Sequence, residues 1–173
     1  MIYGVTGMPL AGKTTVAGLI EDKGFEIVDM GDVVRKEMEK KEVPIQNTGK
    51  WVNRQRKEKG MDAIAELTEP YIEEKDTDKI VITGMRGPSE RRRFEDELEQ
   101  NLEMIAVWAS PETRRKRREE RMREEDREGD EFKQRDQREL ENGVGRLMAL
   151  SQHMIINEDL SIEKLEKEVN KIV

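Results

Sequence analysis

Short apolar runs alternate with stretches of helical period along the whole chain. The runs are Ile2–Thr6, Phe25–Asp29, Lys79–Thr83, Met104–Ala109 and His153–Asn157. Brief runs rich in Ile and Val, bounded by polar segments, read as strands buried on both faces. Between them lie Lys13–Asp22, Asp32–Lys41, Lys50–Lys75 (long enough for two helices), Ser89–Gln100, Pro111–Arg123 and Asp130–Leu150. Ser161–Ile172 closes the series. Pro111 suits a first helical position with Ser110 as its cap. Five strands alternating with helices predict an α/β domain of three layers, a parallel sheet covered on both faces. Ligands of such sheets bind beyond the carboxyl ends of the strands, so the residues just after each run carry the functional question.

After the first run, Gly7-Met8-Pro9-Leu10-Ala11-Gly12-Lys13-Thr14 completes a G-x-x-x-x-G-K-[ST] phosphate-binding loop. Gly7 and Gly12 allow the backbone to bend close to a polyphosphate. The following amides and the positive end of the next helix favour the anion. Lys13 is placed for the β- and γ-phosphates, and the Thr14 hydroxyl for Mg2+. The candidate donor cradle is therefore Gly7, Met8, Pro9, Leu10, Ala11, Gly12, Lys13, Thr14 and Thr15. After the second run, Gly31 permits a tight turn, Asp32 is expected to cap the next helix and Arg35 lies one turn further in. After the third, Thr83-Gly84-Met85-Arg86-Gly87-Pro88 sets a guanidinium between glycines, suited to a phosphate. Thr83 stands where P-loop enzymes commonly have an aspartate for the metal shell, so either Asp29 or Asp32 assists there or Mg2+ is held by Thr14, the phosphates and water.

Residues 114–127 read RRKRREERMREEDR. From Arg86 to Arg146 there are 14 Arg and 2 Lys but 18 acidic residues, so the stretch is no basic patch. Most of these side chains read as a solvated helix face, with pairs such as Arg115–Glu119 and Lys116–Glu120. Glu124–Gly129 reads as a short flap flanked by Arg121, Arg123, Arg135 and Arg138, arginines suited to closing over a transferring phosphoryl group. Trp108 and Trp51 are expected to pack, and His153 to be structural.

Composition narrows the classes. Charged residues make up 41% of the 173 and hydrophobic residues 34%, so a lean core sits under a densely charged surface. The 32 basic groups nearly balance 39 acidic ones, which with the clear periodicity favours folding over disorder. The absence of cysteine excludes disulfides and thiolate metal sites. No run approaches the roughly 20 apolar residues of a membrane span, and no signal peptide precedes the first strand. A soluble cytoplasmic protein is expected, a monomer or homodimer. The interleaved glutamates and net charge of −7 disfavour nucleic-acid binding. No N-K-x-D motif supports a guanine-specific GTPase, and Asp126-Arg127-Glu128-Gly129 does not follow a strand.

Gly4-Val5-Thr6-Gly7 running into the loop resembles nucleotide kinases and dephospho-CoA kinases. Gly31-Asp32-Val33-Val34-Arg35 resembles the G-D-x-x-R of adenylate kinases, whose arginine holds the acceptor phosphate. Gly84-Met85-Arg86 is similar to their D-G-x-P-R segment, shortened by one residue and with Thr83 for the aspartate. Arg123-Glu124-Glu125-Asp126, followed by Arg135-Asp136, is similar to the lid arginine pattern. The whole chain, through Met154-Ile155-Ile156-Asn157-Glu158, resembles an archaeal family of short-lid, adenylate-kinase-related, dephospho-CoA-kinase-like P-loop proteins. The resemblance implies strand order 2-3-1-4-5 and one kinase domain over 1–173. Its core would be 1–30, 79–120 and 140–173, its acceptor-binding helices about 31–75 and its lid about 121–138. It implies ATP and Mg2+, with γ-phosphoryl transfer to a small phosphorylated acceptor such as a nucleoside monophosphate. Lys13, Arg86, Arg123 and Arg135 would be catalytic, Asp32, Arg35 and Arg86 would hold the acceptor, and Thr14 the metal. Hydroxyl phosphorylation as in dephospho-CoA kinases, with Asp32 as base, and an acceptor-free P-loop ATPase or switch are the alternatives.

Overall fold

The computed structural model describes the backbone of residues 1–98, 100–121 and 129–173, with side chains for all of these except 121 and 129–131. The strands are β1 (Ile2–Thr6), β2 (Glu26–Asp29), β3 (Ile80–Thr83), β4 (Leu102–Trp108) and β5 (His153–Ile156). The helices are α1 (Lys13–Glu21), α2 (Met30–Lys40), α3 (Thr48–Lys59), α4 (Ala63–Glu73), α5 (Pro88–Glu97), α6 (Pro111–Arg121), α7 (Gly129–Asn142), α8 (Val144–Ala149) and α9 (Ile162–Val169). A short 3-10 turn, Ile45–Asn47, precedes α3. All strand pairings are parallel and the order is β2-β3-β1-β4-β5, as expected. Among the described residues no helix is long and apolar enough to cross a membrane.

The period of two along each strand divides the core. Ile2, Ile80, Ile82, Leu102 and Met104 face Val33 and Met38 of α2, Ile64 of α4, Phe94 of α5 and Leu147 of α8. Their neighbours Tyr3, Val5, Val81, Ile105 and Val107 face Val16 and Ile20 of α1 and Leu165 and Val169 of α9. Every residue of the central strand β1 is buried. This leaves the polar carboxyl ends of β1, β2 and β3 side by side, where Asp29 is level with Thr83.

Some boundaries differ from the sequence expectation. The segment 50–75 divides into α3 and α4, as its length allows, but α3 begins earlier, at Thr48. The segment 130–150 divides at Gly143, whose φ of 104° ends α7 and which no L side chain adopts readily. Asp29, not Asp32, caps α2: its carboxylate accepts the Asp32 amide at 2.9 Å, which puts Asp32 in the first turn. Trp108 is 38% exposed at the end of β4 rather than in the core, whereas Trp51 is buried at 7%. Ser110 does cap α6, its hydroxyl accepting the Thr113 amide at 3.2 Å.

Candidate functional site

The loop between β1 and α1 is built from its carbonyls outward. Met8 O accepts from the Ala11 amide at 3.2 Å and from Lys13 Nζ at 3.0 Å. Pro9 O accepts from Arg114 Nη1 at 3.3 Å. Leu10 O and Ala11 O both accept from Arg117 Nη1 at 3.2 Å, and Ala11 O also from Asn157 Nδ2 at 2.9 Å. Four successive carbonyls are thus claimed by protein donors, so they present no free acceptor to an incoming anion. Leu10 sits at φ 66°, rare for a side chain of its size, and the Arg117 contact helps hold it there. Gly12, at φ 102°, lies so close to Asn157 Nδ2 that a Cβ would overlap it. Thr14, at the start of α1, is exposed, so its hydroxyl is available to a ligand.

Arg114 and Arg117 come from α6, where the sequence reading placed a solvated face. That reading suits Lys116, which pairs with Glu112 at 3.7 Å, but not these two. The Arg114 side chain is 3% exposed and forms a bidentate pair with Asp136 of α7 at 2.7 and 2.6 Å. Its guanidinium also lies 5.1 Å from the centre of the Phe132 ring. Arg117 Nη2 donates to Asn157 O at 2.8 Å, tying α6 to the turn after β5. Glu158 completes that tie: it accepts from the Ser110 amide and from the Thr113 hydroxyl, and these bonds hold its carboxyl below the usual range.

Charge gathers around Lys13. Burial pushes its ammonium from the ordinary 10.5 down to about 8, Glu139 opposes the shift, and Arg135, Arg86 and Arg114 add to it. Three of the residues singled out in the sequence, Lys13, Arg86 and Arg135, therefore share one electrostatic neighbourhood. Glu139, a residue the sequence reading missed, is buried among them and accepts from Arg86 Nη1 at 3.0 Å. Arg35 is half exposed, paired with Asp32 and 3.8 Å from Asp29. Arg123 and the flap Glu124–Gly129, apart from the Gly129 backbone that begins α7, lie outside the described residues.

The acidic position next to the cradle has moved sideways. The Thr83 hydroxyl donates to Asp29 Oδ2 at 2.5 Å across the β2–β3 register, so the carboxylate comes from the neighbouring strand and is already engaged. Among the described residues no group of three or more His, Cys, Asp or Glu side chains is arranged to hold a metal ion. An Mg2+ ion there would rest on the Thr14 hydroxyl and on the oxygens of its own nucleotide, which an exposed Thr14 beside a phosphate cradle fits.

Comparisons with known proteins bear on the family and the fold. The family described as "AAA domain" matches residues 6–134, from the end of β1 into α7. A UPF0200 protein of Methanothermobacter thermautotrophicus is 36% identical, covering 100% of this chain and 89% of that protein. A UPF0200 protein of Pyrococcus abyssi is 34% identical, covering 100% and 95%. In fold the chain is similar to TT1252 from Thermus thermophilus, with a TM-score of 0.71 at 16% identity over 99% of this chain and 94% of that one. It is also similar to the shikimate kinase of Aquifex aeolicus, with a TM-score of 0.57 at 16% identity over 99% and 94%.

Proposed function

The chain belongs to the AAA domain family and to the archaeal UPF0200 proteins, and from that premise we propose that it is an ATP-dependent phosphotransferase acting on a small phosphorylated acceptor such as a nucleoside monophosphate. The observation that carries this reading is the convergence of Lys13, Arg86, Arg135 and Glu139 beside a cradle in which the carbonyls of residues 8–11 all have protein donors. A site for one polyphosphate needs the cradle and Lys13. Additional arginines beyond a neighbouring strand suit a second phosphate.

In this mechanism Lys13 and the N–H groups within residues 8–14 would bind the donor's phosphates, except at Pro9, which has none, and Ala11, which donates to Met8 O. Thr14 would hold Mg2+, which when bound neutralises charge on the phosphate oxygens. Arg35 and Arg86 bind the acceptor's phosphate, Arg86 exchanging Glu139 for it and Arg35 exchanging Asp32. Arg123 and Arg135 close over the transferring group and keep water out. A phosphate acceptor is already an anion, so alignment and charge stabilisation suffice without a strong base. The whole chain is one kinase domain in this reading, with acceptor-binding helices within 31–75 and a lid over 121–138. It works in the cytoplasm and resembles adenylate kinases in its acceptor grip.

The test is ATP consumption with AMP, CMP, UMP, GMP or dephospho-CoA, against a control without acceptor. Saturable consumption with one acceptor supports the kinase, and dephospho-CoA as that acceptor would shift the reading to hydroxyl phosphorylation. Hydrolysis indifferent to all acceptors would make the protein an ATPase. Lys13→Ala is expected to lower turnover by orders of magnitude, and full activity in that variant would sink the assignment.

A further inference from the structure

A buried charge lies beneath the turn that carries Arg86. Glu90, in the first turn of α5, is 1% exposed. Its Oε2 accepts the backbone N–H of Arg86 at 2.6 Å and that of Gly87 at 3.2 Å. Its Oε1 accepts from Arg56 Nη2 at 3.0 Å. Arg56 belongs to α3 and its side chain is 8% exposed. Its other terminal nitrogen donates to Asn142 Oδ1, at the end of α7, at 2.8 Å. One ion pair thus ties together three segments far apart in sequence: α3, the β3–α5 turn and α7. Arg86 then reaches back to Glu139 on that same α7.

Stability does not account for this arrangement. A buried ion pair is often no better for folding than well-packed apolar groups of similar volume. Here Arg56 Nε also has no hydrogen-bond partner among the described residues, a further cost. What the pair supplies is direction. Two successive amides on one carboxylate oxygen fix the peptide from which the Arg86 side chain springs, and the fork of Arg56 fixes that carboxylate relative to two helices.

We propose that Arg56 and Glu90 are positioning residues for the acceptor's phosphate, acting through Arg86 without touching substrate. This rests on the reading of Arg86 as an acceptor ligand. The pair is expected to act on the acceptor more than on ATP, because it bonds the backbone beneath Arg86 directly, whereas the donor cradle's carbonyls are held by Arg114, Arg117 and Asn157.

The experiment compares wild type with Arg56→Lys, Arg56→Met and the double variant Arg56→Met/Glu90→Leu. Arg56→Met strands a buried carboxylate and lowers Tm. The double variant removes both charges and recovers part of that loss, while Arg56→Lys keeps the charge but loses the fork. In the double variant the acceptor KM is expected to rise about tenfold, the scale of one lost charge-assisted hydrogen bond, with the ATP KM within about twofold. Arg56→Lys is expected to fall between wild type and the double variant. An acceptor KM that returns to the wild-type value as Tm recovers, or an ATP KM that rises equally, would overturn the proposal. If wild type shows no acceptor-dependent turnover, the kinase reading has failed, and the positioning claim is read from hydrogen exchange instead. The Arg86 and Gly87 amides should then exchange about tenfold faster in the double variant relative to the β3 amides. Unchanged exchange at those two amides would overturn it.

Discussion

Lys13 concentrates the electrostatics of the site in one proton. Its folded-state pKa, about 8, lies below the ordinary 10.5, chiefly because burial disfavours the ammonium. Between those two values the unfolded chain binds more protons than the folded one, so this group's contribution to stability rises with pH through that window. A polyphosphate beside Lys13 reverses the preference and favours the charged form. ATP binding at pH 8.5 should therefore take up a proton, visible as a binding enthalpy that varies with the ionisation heat of the buffer. Lys13→Met should abolish the uptake. Thr83 is the second informative residue. Replacing it with aspartate, to restore the acidic strand end common in P-loop enzymes, removes the donor to Asp29 and sets two carboxylates level across the β2–β3 register. Thr83→Asp is expected to cost about 1 kcal/mol in denaturant unfolding, the lower end of the range for an acceptor losing its donor, because the Asp29 side chain is 34% exposed.

Among the elements, α6 shows how a helix of surface composition can brace a site. Arg114 and Arg117 are three apart and so share one face, and that face meets the carbonyl side of the cradle. Arg117→Ala strips donors from Leu10, Ala11 and Asn157 carbonyls and should weaken ATP binding about tenfold, or about 1.4 kcal/mol. Arg115→Ala, on the exposed side of the same helix, should leave calorimetric ATP affinity unchanged. The contrast also explains what the sequence could reveal. Strands and most helices were legible because apolar residues mark their phase, and the loop Gly7–Thr14 because its residue types are tied to its geometry. Helix α6 contains no large apolar residue at all, so nothing in its letters says which arginines turn inward. Glu139, Glu90 and Arg56 were hidden for the same reason, as buried charges within charged helices. The cap of α2 was misplaced because Asp29 and Asp32 both suit a helix start, and only the pairing of Asp29 with Thr83 across two strands distinguishes them.

On the scale of the whole molecule, the ion pairs Arg114–Asp136 and Arg86–Glu139 both join α7 to the site but differ in exposure, and they should behave differently. In the Arg114–Asp136 pair the side chains are 3% and 18% exposed, so removing the carboxylate strands a guanidinium in the interior. In the Arg86–Glu139 pair the arginine is 47% exposed, so without Glu139 water can solvate it. Asp136→Asn should therefore cost about 3–5 kcal/mol in denaturant unfolding, the range for breaking one side of a buried pair. Glu139→Gln should cost at most about 1 kcal/mol, as for a solvated pair. The order should reverse for ligands. Glu139 competes with incoming phosphate for Arg86, so Glu139→Gln should tighten binding of inorganic pyrophosphate, whereas Asp136→Asn should weaken it by loosening Arg114 from Pro9 O. The comparison belongs at pH 7, below the Lys13 pKa, because losing Glu139 also removes a charge that favours the ammonium. Equal stability losses in the two variants would mean that α7 is held as one rigid block. Weaker pyrophosphate binding in Glu139→Gln would mean that its carboxylate supports the phosphate site rather than occupying it.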